Sequence, residues 1–508
     1  MFTAFETEIV LVLVLAMLVA LIAKKMKLQY TIVLVLAGLA VSFFDLGITP
    51  LSREIIFFLF LPPLLFEGAV HLHLADLKEN KSAIVLLSVL GILISVAVIG
   101  VGLWLLLGIP LLYCLLFGAI ISPTDPISVL AIFKKLGVPK KLATIVEGES
   151  LFNDGTGVVI FEIILGLVLL HHVTIAAGIL EFIKVVIGGM LIGAITGGLI
   201  FMFMKNIDDH LIEVVATIIL AYGAFLLSEL FHVSGVIAVV TAGLFIGNYG
   251  TKFAMSPRTR VAIVNFWELM VFVVNSLIFI MLGATIPIQG FFTHITLILA
   301  GILVVLVARA LSVYPLASML GMLKEKIPWN WRHVLHWGGL RGSIPIALVL
   351  GIQLLDIPFK EEITYMTFGV VLFSLVVQGL TMPALLKRLN ITTEDKTSQE
   401  AQAILARKAA IKSALRTLNS AHEDGEIGTD IYIKLKKEYD HRLRNLKKQF
   451  VTYMRKHALT RNSQEKIARQ KSLLAEKSAI NLQLEHGYIS EEAGTPLLEE
   501  IDKQLDQF

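Results

Sequence analysis

The sequence lacks the residues on which several classes of protein depend. Cys114 is the only cysteine among 508 residues, so the chain cannot form an internal disulfide. It has no Cys-x-x-Cys or His-Glu-x-x-His pair, and redox or zinc chemistry is not expected. It also has no Gly-x-x-x-x-Gly-Lys-Ser/Thr loop to hold the phosphates of ATP. The sequence therefore predicts neither a cofactor nor an enzyme.

Charged residues are also scarce, and they are unevenly distributed. Only 16% of the chain is charged and 56% is hydrophobic, whereas a soluble domain carries roughly 25% charged residues. Residues 391–508 contain 38 of the 83 charged side chains. We expect a membrane domain over residues 1–390 and a helical, cytoplasmic regulatory tail over residues 391–508. Charged and apolar positions alternate at helical spacing in the tail and predict helices over residues 397–419, 429–457, 463–485 and 490–505. The net charge of +3, without a dense basic stripe, argues against nucleic-acid binding.

Long apolar runs recur throughout residues 1–390. Together they predict an all-α polytopic membrane protein with about thirteen transmembrane helices, since a span must cross roughly 30 Å of hydrocarbon. The predicted spans are residues 8–23, 30–45, 54–71, 83–108, 111–134, 142–170, 178–204, 211–230, 234–249, 261–286, 291–318, 331–353 and 362–386. Lysine and arginine concentrate in the loops after odd-numbered spans. This pattern predicts an outside N-terminus and a cytoplasmic tail in the plasma (inner) membrane.

Two of the predicted spans contain residues that interrupt helices. The fifth contains Pro123–Pro126, and the twelfth contains Gly338–Ser343 followed by Pro345. Proline removes a backbone donor and clashes with the preceding turn. Because the two spans are seven apart, they run in opposite directions, and spans one to six and eight to thirteen would form two inverted halves. Paired interruptions of this kind indicate the substrate site of a secondary transporter near the bilayer midplane.

Polar and ionisable residues cluster in four of the predicted spans. A charge at the bilayer centre costs roughly 2.5–3.5 kcal/mol on insertion scales, so each needs a partner or a function. The cluster comprises Thr124, Asp125, Glu149, Ser150, Asn153, Asp154, Arg309 and Arg341. On a regular helix Glu149 and Asn153 share a face, while Asp154 is turned about 100° from Asn153. Glu149 and Asp154 would therefore have different roles: one can face a cation while the other is held by an arginine.

A monovalent cation such as Na⁺, Li⁺ or K⁺ is bound by oxygen atoms. Backbone carbonyls around Thr124 and Asp125, the Ser150 hydroxyl and the Asp154 carboxylate would form such a cage. The same carboxylate also binds a proton, so the two ions would compete for one site. Competition combined with alternating access is antiport. With Asn rather than Asp at position 153, electroneutral exchange of one cation for one proton is expected.

Six segments resemble a known family. They are FFLFLPPLLFEGAV (57–70), ISPTDPISV (121–129), VEGESLFNDGTGVVIF (146–161), SGVIAVVTAGLFIG (234–247), VARALSV (307–313) and GGLRGSIPIAL (338–348). In this order they resemble the monovalent cation/proton antiporters of the NhaP and NHE branch, the sodium/proton exchangers. The resemblance implies a homodimer, a core with crossed broken helices, and an elevator-like movement of that core.

The same resemblance implies roles for individual residues. Asp154 would be the principal ion carrier, and four residues would surround it: Glu149, Ser150, Asp125 and Thr124. Glu149 or Asn153 would be tied to Arg309, and Arg341 would steady the ends of the broken helices. Glu67 adds a carboxylate that not every relative has.

Several alternatives stay open at this point. Asp125 either contacts the ion or caps a half-helix, where the helix dipole stabilises a carboxylate. Glu149 is either an ion ligand or the partner of Arg309. K⁺/H⁺ exchange is the alternative within the same class, and a passive cation channel is a further one. Two membrane aspartates would also suit an intramembrane aspartyl protease, although the Gly-x-Gly-Asp sequence of that class is absent.

Overall fold

The computed structural model describes residues 2–26, 30–43, 55–170, 175–207, 209–251, 254–285, 288–322, 325–353, 355–391, 395–423 and 427–456, with isolated residues beyond 456. Within these ranges the regular structure is entirely helical, which confirms the predicted all-α class. The chain divides into two compact units, Met1–Thr393 and Glu394–Phe508.

The first unit is built from helices joined mostly by short connections. In chain order they are α1 (Phe2–Met26), α2 (Tyr30–Phe43), α3 (Leu61–His71), α4 (Leu74–Glu79), α5 (Lys81–Leu107), α6 (Leu111–Ile121), α7 (Ile127–Leu136), α8 (Lys140–Leu170), α9 (Ile175–Met204), α10 (His210–Leu230), α11 (Gly235–Phe245), α12 (Pro257–Thr285), α13 (Ile288–Phe291), α14 (Ile295–Met322), α15 (Trp329–Trp337), α16 (Ser343–Gln353) and α17 (Lys360–Arg388). Helices α5 and α17 each contain a π-helical turn, at Leu86–Leu90 and Ser374–Gln378.

Many of these helices have the dimensions of membrane spans. Seven described helices are long and apolar enough to cross a membrane: α5, α8, α9, α10, α12, α14 and α17. Shorter apolar helices occupy the other predicted spans. Exposed apolar side chains recur every four residues along α9, where Leu191, Ile195 and Leu199 are 56–60% exposed. A water-soluble surface rarely carries such a stripe. The number of thirteen crossings stays a prediction.

Both predicted interruptions are present as breaks between helices. Helix α6 ends at Ile121 and α7 begins at Ile127, while α15 ends at Trp337 and α16 begins at Ser343. The first break coincides with Pro123–Pro126, whose prolines cannot continue the α-helical ladder. Pro345 instead lies in the first turn of α16, where a missing N–H costs no hydrogen bond. Each broken span therefore consists of two half-helices separated by a short non-helical segment.

The second unit contains the two tail helices α18 (Asp395–Glu423) and α19 (Thr429–Lys456). They contact each other near their connection, where the Tyr432 hydroxyl donates to Asn419 Oδ1 at 3.0 Å and the rings of His422 and Tyr432 stack 4.2 Å apart. These helices coincide with the predicted segments 397–419 and 429–457. The predicted helices 463–485 and 490–505 lie largely outside the described residues. A regulatory role for the tail stays a prediction.

Candidate ion-binding site

The two helix breaks lie against each other. The backbone N–H of Asp125 donates to the carbonyl of Leu340 at 2.8 Å, which joins the two non-helical segments. Asp125 Oδ1 also accepts the backbone N–H of Ile127 at 2.9 Å, so this carboxylate caps the first turn of α7. Gly342, immediately before α16, adjoins the same side chain. Asp125 therefore lies beside the N-terminal ends of two half-helices, whose dipoles stabilise negative charge.

Side chains of helix α8 make hydrogen bonds to all three polar groups of Thr124. The N–H of Thr124 donates to Asn153 Oδ1 at 3.1 Å, and Asn153 Nδ2 donates to Thr124 Oγ1 at 2.7 Å. The Ser150 hydroxyl donates to the Thr124 carbonyl. Asn153 and Ser150 are both about 1% exposed. The structure thus brings these three predicted site residues together, with Asn153 and Ser150 fixing the backbone of the first break.

Arg341 closes the end of α6. Its Nη1 donates to the carbonyls of Ser122 at 2.5 Å and Pro123 at 3.1 Å. Its own backbone N–H donates to Ser374 Oγ at 3.0 Å, in the π-helical turn of α17. Carbonyls at a helix C-terminus lack intrahelical partners and attract positive charge. The guanidinium supplies both the missing hydrogen bonds and the charge, although the residue is only 2% exposed.

Arg309, on α14, plays the corresponding part at the second break. Its Nη2 and Nε donate to the carbonyl of Leu335 at 2.9 and 3.3 Å, in the last turn of α15. Its Nη1 also donates to Glu149 Oε1 at 2.5 Å, forming a salt bridge between α14 and α8. Arg309 is 8% exposed and Glu149 is 2% exposed. Of the two partners that the family resemblance allowed for Arg309, the structure pairs it with Glu149.

Asp154 lines a cavity of about 100 Å³ where the breaks meet. Thr124 and Asp125 line the same cavity. The Asp154 carboxylate accepts no hydrogen bond from the residues that the structure describes, whereas Glu149, one and a half turns away on α8, is held by Arg309. The cavity lining does not include five of the predicted residues: Glu149, Ser150, Asn153, Arg309 and Arg341. These five lie outside the lining, and their hydrogen bonds hold the segments that form the cavity.

Among the other lining residues of this cavity, three have carboxyl or amide side chains and were not assigned to the site from the sequence. They are Glu67 on α3, Glu147 on α8 and Asn275 on α12. Glu147 precedes Asp154 by seven residues, which places both on one face of α8 about 10 Å apart along its axis. This spacing could have identified Glu147. Asn275 is 2% exposed, and its Nδ2 has no hydrogen-bond partner in the described part of the chain. The sequence shows only an isolated asparagine and gives no sign of this environment.

Replacing Gly342 with Ala is expected to disturb the first break. A Cβ at this position would lie 2.6 Å from both Cβ and Oδ2 of Asp125, too close for any real contact. Overpacking of this kind costs about 1–3 kcal/mol, and we expect cation-dependent transport to fall about tenfold or more. Gly166→Ala on α8 is the control, because a Cβ there meets nothing within 4 Å. Equal transport by the two variants would show that Asp125 need not keep its position.

Known proteins with similar sequences and folds identify the family of this chain. The family described as "Sodium/hydrogen exchanger, transmembrane" matches residues 10–388, which is most of the chain. The chain belongs to this exchanger family. The resemblance seen in the sequence is thereby confirmed. As a member of the exchanger family the chain is a transporter and not an enzyme, which leaves the aspartyl-protease alternative without support.

Individual exchangers resemble the chain over most of their length. The Na⁺/H⁺ antiporter ApNhaP of Aphanothece halophytica is 39% identical over 396 residues, covering 78% of this chain and 76% of that protein. The Na⁺/H⁺ antiporter NhaG of Bacillus atrophaeus is 37% identical over 493 residues, covering 94% and 92%. The solved structure of the sodium proton antiporter MjNhaP1 from Methanocaldococcus jannaschii matches with a TM-score of 0.66 at 26% identity, covering 76% of this chain and 99% of that one.

Proposed function

We propose that this exchanger is an antiporter that exchanges Na⁺ for H⁺, and that the Asp154 carboxylate holds either ion in turn. The observation that carries the proposal is the position of Asp154. Its carboxylate lines the cavity where two helix breaks meet and accepts no hydrogen bond from the described residues. A half-buried carboxylate that faces a cavity and has no protein partner is balanced by a counter-ion or a proton. ApNhaP and NhaG are both named as Na⁺/H⁺ antiporters, which supports Na⁺ as the cation.

The ligands that we assign to Na⁺ are the Asp154 carboxylate, the Thr124 carbonyl and the Ser150 hydroxyl. The Thr124 carbonyl and the Ser150 hydroxyl already touch each other, and Thr124 and Asp125 line the cavity. Hard cations favour carboxylate, carbonyl and hydroxyl oxygens. Glu149 and Asn153 act as positioning residues in this scheme, because one is paired with Arg309 and the other holds Thr124. Arg309 and Arg341 balance charge and close the half-helix ends.

Movement of the site would follow from the way its parts are attached. Hydrogen bonds join the two breaks, α8 and α14 into one assembly through Asp125, Arg309 and Arg341. Glu67 and Asn275 reach the same cavity from α3 and α12. Sliding of the assembly past α3 and α12 would open the cavity to each side in turn. We propose this elevator-like movement, in a homodimer, as the family resemblance implies.

The orientation that we propose rests on the distribution of basic residues. Loops after odd-numbered spans carry most of the lysines and arginines of residues 1–390. Such loops lie in the cytoplasm in multi-pass proteins. The N-terminus would then lie outside, and the tail beyond residue 390 would lie in the cytoplasm, with the protein in the plasma (inner) membrane.

Exchange by the purified protein in proteoliposomes tests the proposed function. An imposed pH gradient should drive Na⁺-dependent proton movement, because one carboxylate gives up one proton for each Na⁺. The rate should not change when a K⁺ diffusion potential is imposed with valinomycin, since one-for-one exchange moves no net charge. Li⁺ and K⁺ in place of Na⁺ establish the cation preference. Exchange that varies strongly with the imposed potential would contradict the one-for-one stoichiometry, and larger rates with K⁺ than with Na⁺ would favour K⁺/H⁺ antiport.

A further inference from the structure

A second and larger cavity, of about 590 Å³, shares no lining residue with the ion-binding cavity. This volume is typical of sites that bind organic ligands. Five helices contribute to it: α1, α2, α7, α12 and α17. Its lining residues are mostly apolar, and among the described residues it includes two lysines and no acidic side chain. We call it the lysine-rimmed groove.

The two lysines lie at corresponding positions of two helices. Lys135 is in the last turn of α7 and Lys387 is in the last turn of α17. The apolar lining lies one to two turns earlier on each helix, at Ala131 and Ile132 on α7 and at Leu380 on α17. Lys135 follows the fifth predicted span and Lys387 follows the thirteenth. Because basic residues after odd-numbered spans are expected on the cytoplasmic side, both lysines would lie at the cytoplasmic ends of their helices. The groove thus has an apolar deep part and a cationic end.

This distribution matches an amphiphile that has an apolar chain and a negatively charged head. We propose that the lysine-rimmed groove binds an anionic glycerophospholipid, with its phosphate between Lys135 and Lys387 and an acyl chain against the apolar lining. Basic pockets between transmembrane helices on the cytoplasmic side bind anionic headgroups through the same charge complementarity. Leu380 is 46% exposed, so the apolar part is accessible from outside the protein.

The groove adjoins the helix that carries the first break. Helix α7 begins two residues after Asp125, and its Ser128 hydroxyl is hydrogen-bonded to that of Thr31 on α2 at 2.9 Å. A lipid in the groove contacts α7 and α17 together with α1, α2 and α12. Its occupancy would therefore resist any sliding of α7 past α2 during transport. This consequence rests on the proposed function, whereas the binding itself does not.

Native mass spectrometry of the purified full chain tests binding. Phosphatidylglycerol should remain bound to the wild-type protein at concentrations where phosphatidylcholine does not. The double variant Lys135→Ala/Lys387→Ala should lower phosphatidylglycerol retention about tenfold or more. The matched control is Lys134→Ala/Arg388→Ala, which removes the same charge from the adjacent positions of the same helices, neither of which lines the groove. Equal losses in both double variants would overturn the proposal, because they would indicate general attraction of anionic lipid to basic ends.

A second variant separates the apolar part from the charge. Ala131→Trp fills the groove and keeps both lysines, and we expect it to displace phosphatidylglycerol while thermal unfolding stays unchanged. Retention of the lipid by this variant would contradict an acyl chain in the groove. Displacement of the lipid by millimolar inorganic phosphate would also contradict the proposal, because the site would then recognise the anion alone. If the wild-type protein retains phosphatidylglycerol as expected but shows no Na⁺/H⁺ exchange, the proposed function is contradicted and the lipid site is not.

Discussion

Replacing Asp154 with Asn is expected to reduce Na⁺-dependent proton movement in proteoliposomes to the level of protein-free liposomes. Asparagine has almost the same shape as the aspartate that it replaces, but it neither takes up a proton nor offers a negative charge to a cation. The side chain lines the cavity and accepts no hydrogen bond in the described part of the chain. The protein should therefore fold normally, and its thermal unfolding temperature should stay close to that of the wild type.

Two further variants make this result specific. Asp356→Asn makes the same chemical change at an exposed position between α16 and α17, and it should leave exchange unaltered. Glu147→Gln removes a carboxylate from the same cavity on the same face of α8, two turns from Asp154. We expect it to raise the Na⁺ concentration for half-maximal exchange while exchange persists. Substantial exchange by Asp154→Asn, or complete loss of exchange in Glu147→Gln alone, would show that Asp154 is not the ion carrier.

Replacing Arg309 with Gln is expected to destabilise the protein strongly. Removal of the guanidinium leaves Glu149 charged and 2% exposed, and it leaves the Leu335 carbonyl without its donor. Breaking a buried ion pair by removing one partner costs about 3–5 kcal/mol. Thermal unfolding in detergent measures the loss. Transport should also fall, because Arg309 joins α14 to α8 and to the second broken span.

An exposed ion pair in the same chain provides the control for Arg309. Lys184 and Glu181 on α9 lie 2.9 Å apart, with side chains 58% and 50% exposed. Pairs of this kind contribute at most about 1 kcal/mol, so Lys184→Ala should hardly alter unfolding. Adding Glu149→Gln to Arg309→Gln should recover part of the lost stability, since no buried charge then remains unpaired. Equal stability of Arg309→Gln and Lys184→Ala would show that the buried pair does not support the fold.

The sequence predicted the helix breaks because they are caused locally. Proline and glycine act on the backbone of their own turn, so Pro123–Pro126 and Gly338–Ser343 could be located without knowledge of their neighbours. The roles of the arginines follow a similar principle. A guanidinium within an apolar span requires acceptors, and carbonyls at interrupted helix ends offer them. The sequence does not show which arginine binds the end of which half-helix, because partners such as Arg341 and Ser122 are far apart in the chain.

Other features of the site depend on three-dimensional packing. Whether Glu149 or Asp154 faced the cation was left open by helical spacing, which fixes only the angle between them. In the structure, Arg309 on α14 donates a hydrogen bond to Glu149, so Glu149 is its partner. Asn275 reaches the cavity from α12, more than a hundred residues from Asp154, and no local pattern singles it out. Glu147 is different, because its seven-residue spacing from Asp154 was available in the sequence.

The proposed exchange depends on competition between Na⁺ and H⁺ for the Asp154 carboxylate. The most direct measurement is the Na⁺ concentration for half-maximal exchange by the wild-type protein, determined in proteoliposomes at several pH values. Competition for one site predicts that this concentration rises as the pH falls, about tenfold per pH unit where the site is mostly protonated, while the maximal rate at saturating Na⁺ changes little. A half-maximal concentration that does not depend on pH, with a maximal rate that does, would contradict a shared site.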